Sequence, residues 1–203
     1  GGFRPPDFLM PEVADTAIKI CSRASILIGG DAIQSFTDGT TESDVAASIY
    51  EDIARSSLTN TRWRFATTQV QLSRLTDVPS SRYSAAYQLP ADFLMINSLT
   101  VNDNIIEYDT YTNKAFSNAV ETDVVMADYV FRVSEEHWPA YFILAVELSL
   151  ASLFAVSIAR DAQLSNAMEA RAEMQMRKAR TLDSQQQTSR KLNTSRFISQ
   201  RRS

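Results

Sequence analysis

The residues best equipped for chemistry in this chain are few. One histidine, His137, sits in "SEEHWPAY" beside Glu135, Glu136 and Trp138. A metal site or a general base would need further ligands or an orienting partner at fixed spacing, and the chain holds no Cys/His cluster. His137 therefore reads as a capping or surface residue at a helix start. Carboxylates occur as the neighbours Glu51/Asp52 and Glu135/Glu136, which diverge on a helix rather than converge on a substrate. The single cysteine, Cys21, lies in an apolar helical pattern and reads as a core thiol. Only five glycines occur in 203 residues, which argues against a glycine-rich phosphate loop, and no GxSxG, HExxH or dinucleotide fingerprint is present. The expectation is a chain with no catalytic residues, no metal and no cofactor, and so not an enzyme.

Arginines interleaved with aromatics, in "TRWRF", "SRYSAAY" and "FRV", have a composition that can stack on nucleic-acid bases. On a strand, however, alternation puts Trp63 and Phe65 on one face and Arg62 and Arg64 on the other, as any core and surface would.

The elements that must position these residues fall into two kinds. Residues 11–28 place Val13, Ala17, Ile20/Cys21, Ala24 and Leu27/Ile28 on one face of a helix starting near Pro11 and stopped by Gly29-Gly30. A second helix is expected from "TESD", with Thr41 and Asp44 as a capping pair and Val45, Ile49 and Ile53 as its apolar stripe. Between about 62 and 133 the pattern changes to short β-branched or aromatic runs separated by Asn, Asp, Pro and Ser, the signature of a small, mainly antiparallel sheet. "LPADF" at 89–93 reads as a turn. Helical patterning returns after Ser134. From Ala140 to Ala159 it is apolar nearly all round, broken by Glu147 and three serines. That length can span a bilayer, but a central Glu costs about 2–3 kcal/mol on insertion scales, so a helix buried on several sides is favoured. A last helix, about 161–180, carries Leu164, Met168, Ala172, Met176 and Ala179 on one side and Arg171, Arg177, Lys178 and Arg180 on another. The expected architecture is α+β. It comprises an antiparallel bundle of about four helices from both chain ends (1–61 and 134–182), an inserted antiparallel β-domain (62–133) and an extended C-terminal tail (183–203).

Charge divides the chain unevenly. Residues 171–203 hold nine Lys/Arg against Glu173 and Asp183, a balance of +7, which leaves −11 for residues 1–170 within a total of −4. Such polarity suits head-to-tail self-association, an acidic protein partner, or nucleic acid near the tail only. The opening "GGFRPPDFLM" lacks a basic region followed by an apolar run, and synthesis in the cytosol is expected.

The order of segments resembles that of the tail tubular protein A, or head-to-tail adaptor, family of short-tailed bacteriophages. The similarity runs through the helix ending "IGG", an acidic helix leading into "W.F", then "YQLPADFLMINSLTVN", a strand set ending "YVFRV", and "WPAYFILAVELSLASLFA", and it covers nearly the whole chain. It implies a structural virion protein of the viral tail: a ring, twelve-fold in the family, joining the portal above to the tail nozzle below, in many phages also helping to hold fibres or spikes. Genomic DNA would pass through the central channel during ejection, and no membrane would be involved. The family's C-terminal segment packs on the portal, which implies that role for residues 183–203. There, Arg190, Lys191, Arg196, Phe197, Ile198, Arg201 and Arg202 are suited to folding on a partner, because the segment has no periodic apolar face of its own. The competing reading is a nucleic-acid-binding protein with a basic C-terminal arm.

Overall fold

The computed structural model describes residues 16–76 and 82–186, a mixed α+β structure of four helices and two small antiparallel sheets. The first helix, α1 (Ala17–Leu27), begins at Thr16, whose hydroxyl accepts the Lys19 N–H at 3.2 Å, and not near Pro11. It ends where the glycines predicted. Gly29 takes φ +82°, open to a residue without a Cβ, and the Gly30 N–H returns to the Ser25 carbonyl at 3.0 Å.

Helix α2 (Thr41–Thr59) is capped one residue earlier than the spacing indicated. Thr40 accepts from the Ser43 N–H at 3.2 Å and the Ser43 hydroxyl accepts from the Thr40 N–H at 3.1 Å, so Ser43 takes the reciprocal role expected of Asp44. The fully buried stripe is Ala46, Tyr50, Ala54 and Leu58, while Val45, Ile49 and Ile53 are half-buried on its flank. Small residues on that stripe let the helix approach the core closely.

Trp63 and Phe65 both turn inward, as alternation predicted, but not through a strand. Arg64–Ala66 form a single 3-10 turn, with the Trp63 and Phe65 rings 5.8 Å apart. Strand β1 (Thr67–Gln71) begins only after it. The remaining strands are β2 (Ala85–Gln88), β3 (Phe93–Val101), β4 (Asn104–Ile106), β5 (Tyr108–Tyr111), β6 (Lys114–Ser117) and β7 (Val125–Phe131). They form not one sheet but two, in the orders β1-β7-β3-β4 and β2-β6-β5. β3 turns into β4 through Asn102 and Asp103, both at positive φ, the two-residue hairpin that matches strand twist. Leu99, Val125, Ala127 and Tyr129 of the first sheet and Ala85, Tyr87 and Ala115 of the second share one apolar core.

A second and larger core belongs to the helices. After a 3-10 turn at Glu135–His137, α3 (Ala140–Ser157) starts with Pro139 as its N-cap residue, just outside the first turn. Among the described residues α3 is the one helix long and apolar enough to cross a membrane, and 56% of it is buried inside the protein. Phe142 and Phe154 are fully buried, and Phe142 meets Trp63 at 5.1 Å and Trp138 at 4.9 Å between ring centres. Both indole N–H groups are satisfied, Trp63 by the Ser57 carbonyl at 2.9 Å and Trp138 by the Val133 carbonyl at 3.0 Å. Helices α1, α2 and α4 (Ala162–Gln185) all contact α3. α4 runs back along it, since Ser165 bonds to Ser152 and Asp183 to Tyr141. The helix extends five residues beyond the expected end near 180, for a reason visible at its C-terminus.

Candidate functional site

Met168, Ala172, Met176 and Ala179 form the buried stripe of α4, with Leu164 half-buried behind them. Asp183 continues the same stripe, four residues past Ala179, and is only 4% exposed. A carboxylate there is costly unless its oxygens are bonded. One accepts the backbone N–H of Arg64 at 2.9 Å and the other the Tyr141 hydroxyl at 2.9 Å. Burial first, and then the bond to Asp183, pushes the Tyr141 hydroxyl above its usual pKa and keeps it a donor. Asp183 thus ties the last turn of α4 to the 3-10 turn before β1 and to the first turn of α3. Its place on the apolar stripe was the sequence signal for this anchor.

The remaining charged side chains at this end are exposed. Arg171, Arg177, Lys178 and Arg180 all face solvent, as the basic face predicted. Arg180 donates to the Asn60 side-chain oxygen, and Arg62 pairs with Asp128, which also accepts from Asn97 at 3.2 Å. The body therefore presents a cationic surface where α4 stops at Gln186. The residues assigned to partner binding, Arg190, Lys191, Arg196, Phe197, Ile198, Arg201 and Arg202, lie outside the described residues.

Two further ionic sites join the helices to their neighbours, one buried and one at the surface. Glu147, in the middle of α3, is 5% exposed, and its Oε1 accepts from Arg23 Nη1 of α1 at 3.4 Å. Burial raises its pKa, and the Arg23 charge pulls it back only in part. Arg132, just past β7, was not singled out by sequence reasoning. Its Nη2 donates to Glu135 at 2.5 Å and to Glu51 of α2 at 3.0 Å, and its guanidinium stands 5.5 Å from the Trp138 ring centre. Tyr50 donates to the same Glu135 oxygen at 2.8 Å. Burial alone would raise the Glu135 carboxyl, but the bonds from Arg132 and Tyr50 outweigh it and hold it low. Glu51 is exposed and is shared between Arg132 and Arg55.

The candidate chemical residues stay apart. His137 is exposed, with Nδ1 3.0 Å from the Ser134 hydroxyl and 3.6 Å from Glu136. Cys21 is fully buried, and burial, aided by the Glu135 charge, pushes its thiol up to about 12. Among the described residues no three His, Cys, Asp or Glu side chains come together as a metal-binding group. No family model matches this chain, and no curated protein matches it.

Proposed function

We propose that this chain is a structural virion protein, the head-to-tail adaptor of a short-tailed bacteriophage. Copies form a closed ring, twelve-fold by resemblance, between the portal and the tail nozzle, and DNA leaves the head through its channel. In this reading the four helices make one antiparallel bundle, residues 62–133 are an inserted domain, and the polar C-terminal segment reaches the portal. Fibres or spikes are further candidates for attachment, and neither catalysis, cofactor nor membrane enters. The protein is made in the host cytoplasm and ends in the virion tail.

The observation that carries the reading is the order of segments along the chain, from the helix ending "IGG" through "LPADF" to the "WPAYF" helix and a basic polar end. The buried anchor at Asp183 supports it, because a segment pulling on a partner needs firm attachment where it leaves the body. The −11 balance of residues 1–170 also suits a channel past which DNA slides without sticking. Cryo-imaging of assembled particles tests it: a closed cyclic ring of this protein beneath the portal vertex is expected. A two-fold dimer there, or the protein's absence from particles, sinks the reading.

A further inference from the structure

Beside the end of α4 the surface opens into a cleft of about 470 Å³ lined by Thr61, Arg62, Arg64, Thr67, Arg180 and Ser184 together with the carboxylate-bearing Asp183. Folding brings its three guanidinium groups together from segments more than a hundred residues apart. Arg62 already has Asp128 as counter-ion, whereas Arg180 donates to a neutral amide oxygen. The exposed Arg64 side chain has no acceptor among the described residues, only its backbone N–H being engaged. Asp183 does not neutralise them by direct pairing, since both its oxygens are taken by the Arg64 N–H and the Tyr141 hydroxyl. The cleft is thus a guanidinium site in which Arg64 and Arg180 have no carboxylate partner among the described residues, and guanidinium forks match the two oxygens of a carboxylate.

The opposite charge lies at the far end of α2. A shallower notch of about 270 Å³ is lined by Gly29, Gly30, Asp31, Glu42, Ile158 and Ala159, and neither carboxylate makes an ion pair among the described residues. Glu42 is in the first turn of α2 and Asn60 caps its other end, a separation of about 27 Å at 1.5 Å per residue. A cationic cleft at one end and an anionic notch at the other let copies of the molecule pair with one another, and a head-to-tail pairing leaves one site free at each end to continue into a ring.

We infer that the Arg62, Arg64 and Arg180 cleft receives the Asp31 and Glu42 carboxylates of a second copy of this chain. This rests on the ring reading for its closure, though the contact between two copies does not require it. An acidic protein surface is favoured over nucleic acid because residues 1–170 carry a balance of −11, which disfavours a long polyanion on the molecule as a whole and supplies carboxylates on a neighbouring copy.

The test uses the full chain with two charge reversals, Arg64→Glu with Arg180→Glu, and Asp31→Arg with Glu42→Arg. Circular dichroism and thermal melting establish folding, and sedimentation at low and high salt reads association. Wild type is expected to self-associate, less so as salt rises. Each double variant alone should associate at least about tenfold more weakly, and mixing the two should restore association, because opposite charges then meet at both junctions: reversed cleft on reversed notch, and unchanged cleft on unchanged notch. Association unchanged in the variants, no recovery on mixing, or wild type that stays monomeric at low salt and the highest soluble concentration would overturn the inference. A duplex DNA added to wild type should not bind at the cleft; binding lost in Arg64→Glu/Arg180→Glu assigns the site to phosphates and overturns it too. Should a reversal fail to fold, Arg64→Gln/Arg180→Gln and Asp31→Asn/Glu42→Gln carry the same test by loss of association. Rings in particles that survive the arginine reversal would leave the adaptor reading intact and this contact wrong.

Discussion

Glu147 shows how one buried carboxylate colours the behaviour of a whole helix. Its pairing partner Arg23 is half-exposed, so the charge is only partly compensated and its folded pKa stays above the ordinary 4.5. Between 4.5 and that raised value the native chain binds more protons than the unfolded one. Stability from this group therefore falls as pH rises through the window and levels off above it. Glu147→Leu removes the slope. Its melting temperature relative to wild type is expected to climb from about pH 4 to about pH 8, with the fold retained. A constant difference across that range would mean that Glu147 is solvated. Its burial was legible in the sequence, as a lone acid in an apolar helix, and so was the burial of Cys21. Asp128, Asp183 and Arg132 were less visible, because each is an ordinary surface residue type whose partners lie 66, 119 and 81 positions away. Local spacing carries no information about such distances.

Elements are held to one another by these few polar contacts as well as by apolar packing. Arg132 fastens the end of β7 to α2 through Glu51 and to the turn before α3 through Glu135. Arg132→Ala is expected to cost about 2–4 kcal/mol, less than the roughly 3–5 for stripping one partner from a fully buried pair because Glu51 stays exposed, measured by urea unfolding. Because burial is outweighed by Arg132 and both carboxyls are held below 4.5, their contribution is present above that pH and lost as pH falls through the lowered values. In Arg132→Ala the acid side of the stability profile should flatten. At the end of α4, Asp183→Ala should cost about 1–3 kcal/mol by leaving a buried N–H and hydroxyl unpaired. Truncation after Leu182 should likewise lower the melting temperature by several degrees, whereas truncation after Gln186 should not. Helix existence and type were readable from apolar periodicity, and so was the Gly29 stop. The boundaries were not, because Ser43 displaced Asp44 as capping partner and Asp183 extended α4 past the last apolar residue. The division of the strands into two sheets was also hidden, since β6, "KAFS", is too short and too polar at its ends to stand out from a loop.

For the molecule as a whole, the proposed division of labour separates stability from attachment. A chain ending at Gln186 should melt like the full chain yet bind DNA-filled capsids far more weakly. Phe197→Ala should weaken that binding more than Gln187→Ala, since burying one aromatic contributes roughly 1.5–3 kcal/mol and a ring multiplies the effect. Counting bound protein per capsid checks it, and equal binding by the shortened chain would move the portal contact to the helical body. The α+β class was legible in the sequence because helical and strand periodicities occupy different stretches. The surface proposed to face a neighbour was not, because the arginine cleft exists only after α4 has closed against the turn before β1. That closure has a kinetic side. Asp183 meets Arg64 across 119 positions, so the helical core cannot complete until a long loop of chain has been drawn in. The strands between them have an apolar core of their own, and forming it first shortens the loop that remains. Refolding should therefore be limited by the strands: Leu99→Ala is expected to slow the folding limb in stopped-flow measurements, while Met176→Ala chiefly speeds unfolding. The reverse pattern would mean that the helices collapse first and the strands assemble on them, leaving unpaired strand edges open to other chains while they wait.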